Sequence, residues 1–449
     1  MLLSLPMSAD LRRSMGLSHA TAMVVGIILG ASIFIQPSEI SRLVPDTRGL
    51  MLVWLAAGLL TLCGALVCAE LSSAFPSTGG VYVFLQQSFS PTLGFLWGWA
   101  MFWVMHSGII AAIAVMLARY VGYFRPLSDN GIKAVAALVI VGLSAINCLG
   151  VRPGSAVQLL LTSAKLLAVA GMLVLLFGFG GEAHRALPSG LPIAPISLSS
   201  YGLAIAGGLF AYGGWHMVTY TAGETRDPVQ TIPRALMMGV AVVTAAYILV
   251  NAAYVYVLPL KRVAFSPRVA AEAAQVVLGP KAGGLIAGLV VLSALGALNG
   301  IILAGPRVYY AMSRDGLAFA WLGEVHPRWQ VPQLAIAAQA LWSCVLVATN
   351  SYRQLFTRVV YTEWIFFALL AAGIFVLRRR GGYQPAFKAP GFPLVPALFI
   401  VASVAVVVNQ IRADLRGSAI GLGLILLGLP VYFVWSHRRP RKAIADAGH

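Results

Sequence analysis

Long uncharged apolar runs constrain the fold of this chain more than any other feature. A helix needs about 20 mostly apolar residues to cross a bilayer. Twelve stretches meet that length, with approximate bounds 17–43, 50–75, 93–123, 132–149, 157–179, 201–222, 232–258, 282–313, 333–349, 356–377, 393–411 and 417–436. The first run is long enough to span and many others follow it, so no cleavable signal peptide is evident. The sequence predicts an all-α integral membrane protein with one transmembrane domain over residues 1–449.

The composition excludes the main soluble classes. The chain is 59% apolar and 10% charged, whereas a soluble domain carries about a quarter charged residues. Its 31 basic and 14 acidic residues give a net charge of +17. The basic residues lie in short clusters between apolar runs, which is typical of membrane boundaries that face anionic lipid. We therefore expect a lipid bilayer around the chain and no nucleic-acid partner.

An even number of spans places both termini on one side of the membrane. The total of Lys and Arg differs little between the two sets of loops, but the densest clusters share the side of the termini. These clusters are Arg378–Arg380 with Lys388, and Arg438, Arg439, Arg441 and Lys442. Because basic loops stay on the cytoplasmic side, we predict cytoplasmic N and C termini in the plasma (inner) membrane.

Three further segments carry local predictions. The uncharged, Gly- and Ser-rich stretch 76–90 is expected to form a buried re-entrant link. The stretch 260–279 mixes charges with alanines and is expected to lie on the surface as an amphipathic helix. The cysteines lack metal-ligand spacing and are predicted to be reduced core residues, without a metal or cofactor; they are Cys63, Cys68, Cys148 and Cys344.

Two predicted helices, the first and the sixth, are interrupted by small residues halfway across. The interruptions lie in Gly26–Phe34 and Gly207–Trp215. They stand five spans apart, and an odd number of helices per repeat inverts the second copy. Matched interruptions in two halves are the best sequence indicator of a secondary transporter's binding site. The alternative is that these glycines only permit close helix packing.

A break at mid-membrane exposes backbone groups that need partners, at several kcal/mol each. The half-helix after Gly30 offers N–H groups at its positive end, which suits a carboxylate. These N–H groups belong to Ala31, Ser32 and Ile33. The half-helices that end at the same level offer carbonyls, which suit an ammonium group. The carbonyls belong to Ile27, Ile28, Phe210 and Ala211. A ligand with both groups on one carbon is an α-amino acid.

Five motifs occur in an order and spacing that resemble a known family. They are Gly30–Phe34, Glu70–Tyr82, Phe210–Trp215, Ala222–Pro228 with Ile232–Ala235, and Leu295–Gly300 with Arg307–Gly316. With them the chain resembles the amino acid–polyamine–organocation (APC) superfamily, and within it the L-type amino acid transporter (LAT) branch. One motif departs from the family: Ala31 and Ser32 stand where it has Ser and Gly. The N–H donors survive both changes, but the Ser32 side chain alters the size of the pocket and the ease of unwinding.

The resemblance implies a LeuT-type fold of five plus five helices in inverted repeats, with discontinuous helices 1 and 6. The repeats would cover residues 15–180 and 200–378, with two peripheral helices in 392–436. It also implies sodium-independent amino acid transport, usually by exchange. Eukaryotic L-type members pair with a heavy chain through a cysteine in the loop after the third helix. That loop, 119–131, has no cysteine here, so we expect no disulfide-linked heavy chain and a carrier that works alone, as in a prokaryote.

Lys165 is the one Lys or Arg in the middle of a predicted span, and intramembrane charges are usually functional. In the resembling family a fifth-helix lysine, in a context similar to Thr162–Leu167, takes the place of a structural sodium. An ammonium there would donate to carbonyls of the unwound first helix. It could carry a coupling proton or stay charged as a tie between helices, and both roles remain open.

Several other residues are candidates for the substrate site. Phe210 is expected to close over the head group as a gate, unless it is an ordinary core or lipid-facing residue. Tyr212 and Gly213 belong to the same motif, although Tyr212 could serve packing alone. Asn299 could contact the pocket or join two helices. The candidates for the side-chain pocket are Trp103, His106, Ser107, Tyr361 and Trp364. The acidic residues Glu70, Glu224 and Glu363 are predicted near helix ends, as salt bridges or gate latches.

These patterns together predict an amino acid carrier that works by alternating access and prefers exchange. Because the sequence shows no acidic side chain at the pocket, we expect neutral amino acids as the cargo. The alternatives are proton-coupled symport through Lys165 and exchange of cationic amino acids or polyamines. A channel or a membrane-embedded enzyme has less support. A channel needs a polar stripe along several helices, and an enzyme needs convergent His, Asp or Cys residues.

Overall fold

The computed structural model describes residues 15–30, 32–77, 79–149, 154–185, 196–329 and 331–437. Within these residues the chain is helical and has no strand, apart from one isolated bridge between Met15 and Thr225. Nine helices of the described part are long and apolar enough to cross a membrane. The all-helical, multi-span architecture predicted from the sequence is thus confirmed.

The α-helices follow one another with short connections. In chain order they are α1 (Leu17–Ile28), α2 (Gln36–Leu43), α3 (Thr47–Ala74), α4 (Val81–Ser88), α5 (Pro91–Ala100), α6 (His106–Val121), α7 (Asp129–Cys148), α8 (Gly154–Arg185), α9 (Leu198–Ala211), α10 (Pro228–Val257), α11 (Leu260–Phe265), α12 (Val269–Leu278), α13 (Pro280–Arg314), α14 (Gln333–Thr349), α15 (Tyr352–Arg378), α16 (Leu394–Ala413), α17 (Leu415–Leu426) and α18 (Gly428–His437). One π-helical turn, Met101–Met105, joins α5 to α6.

The three other predicted spans coincide with α8, with α14, and with α9 and the 3₁₀ helix that follows it. Span 157–179 falls in α8, whose described apolar part is Lys165–Gly181, and span 333–349 is the 17-residue α14. Span 201–222 begins in α9 and ends in a 3₁₀ helix, Trp215–Glu224. These three segments are not among the nine long apolar helices, which are counted over the described residues alone.

Both predicted helix interruptions are present. In the first span, α1 ends at Ile28 and a short 3₁₀ turn, Ser32–Phe34, precedes α2. In the sixth span, α9 ends at Ala211 before the 3₁₀ helix. Gly214, directly before that helix, has a φ of +92°. This backbone conformation is strained for any residue that has a side chain. A Cβ atom there would also collide with Ile27, so the two interruptions lie against each other.

The two connecting segments differ in part from their predictions. In the Gly- and Ser-rich stretch the chain forms α4, a short helix with a mostly buried face, including Tyr82 and Phe84. The segment 260–279 is not one surface helix but two, α11 and α12. Val269 is fully buried, and Ser38 of α2 donates a 2.6 Å hydrogen bond to the Ser266 carbonyl. The alanines allow close packing, so this segment packs against α2 and is not an isolated surface helix.

All four cysteines are free, as predicted. Cys68 is completely buried, and the other three are partly buried. Each lies within or at the end of a membrane-length helix or α14. They fill space between helices, where small apolar residues pack well.

Candidate functional site: a cavity between the interrupted helices

A narrow cavity lies where the two interruptions meet. About 20 Å³ of it can hold the centre of a water-sized sphere, roughly the room for one water. Five α-helices, both interruptions and the 3₁₀ segments that follow them form its wall. The lining residues are Ile27, Ile28, Gly30, Ser32, Ile109, Ile113, Phe210, Ala211, Gly213, Gly214, Met217, Ile301, Val359 and Glu363. Six of the residues predicted from the backbone argument are among them, namely Ile27, Ile28, Gly30, Ser32, Phe210 and Ala211, together with Gly213.

The last carbonyls of α1 find partners outside their own helix. Lys165 of α8, 5% exposed, donates from Nζ to the Gly26 carbonyl at 3.1 Å. The Gly30 N–H donates to the Ile28 carbonyl at 2.6 Å. Because α1 stops at Ile28, these carbonyls lack the N–H donors that a continuing helix would supply. The predicted contact of Lys165 with the unwound first helix is therefore present.

Tyr247 of α10 joins the two interruptions directly. Its hydroxyl lies 2.5 Å from the Ile28 carbonyl and 2.9 Å from the Ala211 carbonyl. A phenol has one proton to donate, so it satisfies one carbonyl at a time. The sequence analysis missed this residue. A tyrosine in the middle of an apolar span is a weak signal, because buried tyrosines are common and most of them only pack.

The other side of the first interruption offers N–H donors. Ser32 and Ile33 open the 3₁₀ turn that leads into α2, and the first N–H groups of a helical segment have no acceptor within it. Ser32 lines the cavity. Ile33 is buried but does not line it, and the predicted donor Ala31 lies outside the described residues.

An aromatic lid closes the cavity on the side of α2. The lid consists of Phe210, Tyr352 and Phe356, with the Phe210 ring 5.5 Å from that of Phe356 and 6.4 Å from that of Tyr352. Gln36 donates to the Tyr352 hydroxyl at 3.2 Å. Above the lid, Arg353 pairs with Glu39 of α2. Phe210 thus lies in the position expected of a gate, between the cavity and a polar latch that joins α2 to α15.

A second aromatic layer closes the opposite side. Phe367 of α15 packs against Trp215 and His216, with ring centroids 5.1 Å apart in both pairs. Further along, the Arg226 N–H donates to the Met15 carbonyl at 2.8 Å. Aromatic layers thus lie on both sides of the cavity in this conformation.

Glu363 does not lie near a helix end, so the prediction of its position was wrong. It lies near the middle of α15 (Tyr352–Arg378) and lines the cavity. The expectation that no acidic side chain reaches the pocket was therefore also wrong. The signal was available, because Glu363 falls well inside the predicted span 356–377 and an intramembrane ionisable residue indicates function.

Several other candidate residues point away from the cavity. Asn299 of α13 accepts a 2.8 Å hydrogen bond from Asn147 of α7, which is the interhelical alternative. The Tyr212 hydroxyl lies 3.3 Å from the Trp54 carbonyl and its ring packs on Tyr247. The structure therefore places Asn299 and Tyr212 in helix packing, since neither lines the cavity.

The five residues predicted for the side-chain pocket do not line the cavity either. His106 bonds the Ile301 carbonyl at 2.7 Å, and Ser107 donates to the Phe102 carbonyl within the π-helical turn. The remaining three candidates, Trp103, Tyr361 and Trp364, pack against α14, α17 and α16. The cavity is lined by other residues of the same helices, by Ile109 and Ile113 on α6 and by Val359 and Glu363 on α15. The polar and aromatic candidates therefore do not lie on the helix faces that border the cavity.

Glu70 forms a buried ion pair, which agrees with the salt bridge predicted for it. Its carboxylate accepts two hydrogen bonds from Arg378, at 2.9 and 2.6 Å, and one from the Ala389 N–H at 2.7 Å. The Tyr383 hydroxyl lies 3.4 Å away, and burial together with the Glu70 charge raises the Tyr383 pKa. The cluster holds the loop after α15 against α3. The side chain of Glu224 lies outside the described residues.

The fold and the cavity define a class of protein. It is a multi-pass membrane protein with a cavity between two interrupted helices. Residues 15–434 match the family model for amino acid permeases. The chain belongs to this family, within the APC superfamily, and is a transporter and not an enzyme.

Named relatives agree with this assignment over nearly the whole chain. The serine/threonine exchanger SteT of Bacillus subtilis (strain 168) is 31% identical, over 96% of this chain and 98% of the relative. The human large neutral amino acids transporter small subunit 2 is 29% identical, over 95% and 82%. The human b(0,+)-type amino acid transporter 1 is 29% identical, over 96% and 90%. The predicted resemblance to the LAT branch is confirmed, and the relatives support amino acid transport.

Proposed function

We propose that the chain exchanges amino acids, neutral ones among them, by alternating access and without sodium. Its fold would be the LeuT-type arrangement of twelve spans, with inverted repeats at 15–180 and 200–378 and peripheral helices in 392–436. The matched interruptions in α1–α2 and in α9 with its following 3₁₀ helix support this arrangement. The names of two relatives, one an exchanger of serine and threonine and one a transporter of large neutral amino acids, support amino acid cargo.

The head group of the cargo would bind to backbone groups at the two interruptions. Its carboxylate would accept hydrogen bonds from the N–H groups of Ala31, Ser32 and Ile33, at the start of a helical segment that favours anions. Its ammonium would donate to carbonyls at the ends of α1 and α9, those of Ile27, Ile28, Phe210 and Ala211. Tyr247 would release the Ile28 or the Ala211 carbonyl as the ammonium arrives, because one hydroxyl proton serves only one carbonyl.

Lys165 would replace a driving cation. Its ammonium donates to the Gly26 carbonyl at 3.1 Å from a 5% exposed position, so a fixed positive charge already occupies the end of α1. A carrier with this built-in cation needs no sodium to stabilise the unwound segment. The same contact also supports proton-coupled symport as a second candidate, since an ammonium that loses its proton would bind the Gly26 carbonyl more weakly, as a neutral amine in place of a charged donor.

Phe210 would act as the gate. It lines the cavity and packs on Tyr352 and Phe356, so its movement would open the cavity toward the Glu39–Arg353 pair. Opening that side requires this ion pair and the Gln36–Tyr352 hydrogen bond to break. Opening the opposite side requires Trp215 and His216 to separate from Phe367.

The remaining expectations concern the surroundings of the carrier. We propose a plasma-membrane location with cytoplasmic N and C termini, on the basis of the basic clusters that end α15. We also propose that the chain works without a disulfide-linked heavy chain, because the segment between α6 and α7 contains no cysteine. A cross-linked partner would need another cysteine, and the four in the chain lie in or at the ends of helices.

One observation carries the proposal: Ile28 and Ser32 from the first interruption and Ala211 and Gly213 from the second line the same cavity. The test is counterflow with purified protein in liposomes, using all twenty amino acids, in sodium-free buffer with and without a pH gradient. We expect saturable, sodium-independent counterflow of neutral amino acids. Linear flux would indicate a channel. Uptake into empty liposomes that follows the pH gradient would favour symport.

A further inference from the structure

Glu363 presents an unpartnered carboxylate to the cavity. It is 5% exposed and lines the cavity from α15. Within the described part of the chain, no hydrogen bond or ion pair joins it to another residue. By contrast, the buried carboxylate of Glu70 is fully bonded.

An isolated buried carboxylate is costly, because the ion loses its water without gaining a partner. No described residue of the cavity wall is basic. Lys165 is bonded to Gly26 and faces a separate cavity beside Phe34. Tyr220, whose phenol interacts electrostatically with Glu363, is uncharged at neutral pH. Among the described residues, therefore, none supplies a positive charge to Glu363, and a cationic ligand would supply one.

The walls around Glu363 indicate the shape of that partner. One face of α15 carries Phe356, Val359, Glu363 and Phe367 at intervals of three or four residues. Phe356 belongs to the lid and Phe367 to the opposite layer, so Glu363 lies between them. At 1.5 Å per residue, Glu363 is about 10 Å along the helix from Phe356.

Between the lid and Glu363 the cavity is aliphatic, with Ile109, Ile113, Ile301 and Val359 in its wall. An aliphatic wall that carries one carboxylate is complementary to a side chain with an aliphatic stem and a cationic tip, once the cavity widens around its cargo. Lysine and arginine have this form. A proton would neutralise Glu363 equally well, but it would make no use of the aliphatic wall.

We propose that Glu363 binds the cationic tip of a basic amino acid, so that this carrier accepts lysine-like and arginine-like cargo in addition to neutral amino acids. The inference rests on the proposed function, which places the head group of the cargo at the interrupted helices. The substrate's stem would pack on the isoleucines of α6 and its charge would pair with the Glu363 carboxylate. Neutral and basic cargo would bind through the same head-group site. Only the contact between the cargo's side chain and α15 would differ.

The test compares L-lysine with L-norleucine, which have the same four-carbon stem and differ by the terminal ammonium. Purified wild type, Glu363→Gln and Glu363→Asp are reconstituted in liposomes. Each unlabelled amino acid competes with counterflow of labelled L-norleucine, and the readout is the ratio of the two inhibition constants. Ligand-induced thermal stabilisation in detergent gives the same ratio without transport. Glu272→Gln, which removes a carboxylate paired with Arg262 outside the cavity, is the matched control.

We expect lysine to compete in the wild type. Glu363→Gln should shift the ratio against lysine by about tenfold or more, the usual effect of losing one charged hydrogen bond. Glu363→Asp should keep part of the preference, and Glu272→Gln should keep the wild-type ratio.

Two results would overturn the assignment. Lysine could fail to compete in a wild type that exchanges norleucine, or the ratio of inhibition constants could stay unchanged in Glu363→Gln. If the ratio is unchanged and Glu363→Gln also loses the dependence of transport on an imposed pH gradient, Glu363 is a proton carrier. If a folded wild type exchanged neither amino acid, the proposed function itself would fail.

Discussion

Replacing Tyr247 with Phe removes one hydroxyl from the contact between the two interrupted helices. That hydroxyl lies 2.5 and 2.9 Å from the carbonyls of Ile28 and Ala211. The Ile28 carbonyl would keep the Gly30 N–H at 2.6 Å, whereas the Ala211 carbonyl would lose the hydroxyl bonded to it. The substitution therefore leaves one buried acceptor without this donor.

The expected penalty is about 1–3 kcal/mol, the cost of leaving one buried polar group unsatisfied. If it falls on the closed conformation alone, the equilibrium between closed and open forms shifts by about 5- to 150-fold. We expect tighter apparent affinity for cargo, because in the proposed binding mode the ammonium of the cargo would satisfy the Ala211 carbonyl that the substitution leaves without its donor. The measurement is counterflow in liposomes as a function of amino acid concentration, together with the thermal unfolding temperature.

Tyr254→Phe is the matched control. Tyr254 lies two turns further along α10 and is fully buried, and its hydroxyl has no hydrogen-bond partner among the residues that the structure describes. Its removal should leave stability and affinity unchanged or slightly improved, since no bond is lost. Equal behaviour of Tyr247→Phe and Tyr254→Phe in both assays would refute the assigned role of the Tyr247 hydroxyl.

Three other substitutions probe separate contacts. Lys165→Ala removes the donor to Gly26 and should lower transport by about tenfold or more, while the amount in the membrane stays similar; wild-type kinetics would exclude a role in transport. Phe210→Ala takes one ring out of the lid and should weaken apparent affinity by a few-fold, from lost aromatic contacts of about 1 kcal/mol each; unchanged affinity and rate would remove the gate. Glu70→Gln should lower the unfolding temperature, because breaking a buried ion pair costs about 3–5 kcal/mol; an unchanged temperature would show that the pair adds little stability.

The interrupted helices were the most predictable part of the site. Glycines at Gly30, Gly213 and Gly214 interrupt two otherwise apolar spans, and a membrane leaves the freed backbone groups few alternatives to a ligand. The contact of Lys165 with α1 was predictable for a similar reason, since a buried ammonium must find carbonyls. Such inferences work because the bilayer imposes the same rule at every position along the chain.

The side-chain pocket was not predictable in the same way. Trp103, His106 and Tyr361 were chosen for their chemistry, yet the cavity is lined by Ile109, Ile113 and Glu363 from neighbouring positions on the same helices. In a helix surrounded by protein, residues one position apart point about 100° away from each other. With nearly every face of α6 buried, the pattern of apolar residues does not show which face borders the cavity.

The sequence by itself determined that this chain lies in a membrane, that it is helical, and that two of its helices break. Those properties follow from local composition, because apolar length and small residues act on their own segment. Only the tertiary structure brought Tyr247 to both broken ends and turned Glu363 toward an aliphatic cavity without a basic partner. These placements depend on how α10 and α15 rotate against helices that are distant in the chain, and that rotation is fixed by packing between helices and not by any one segment.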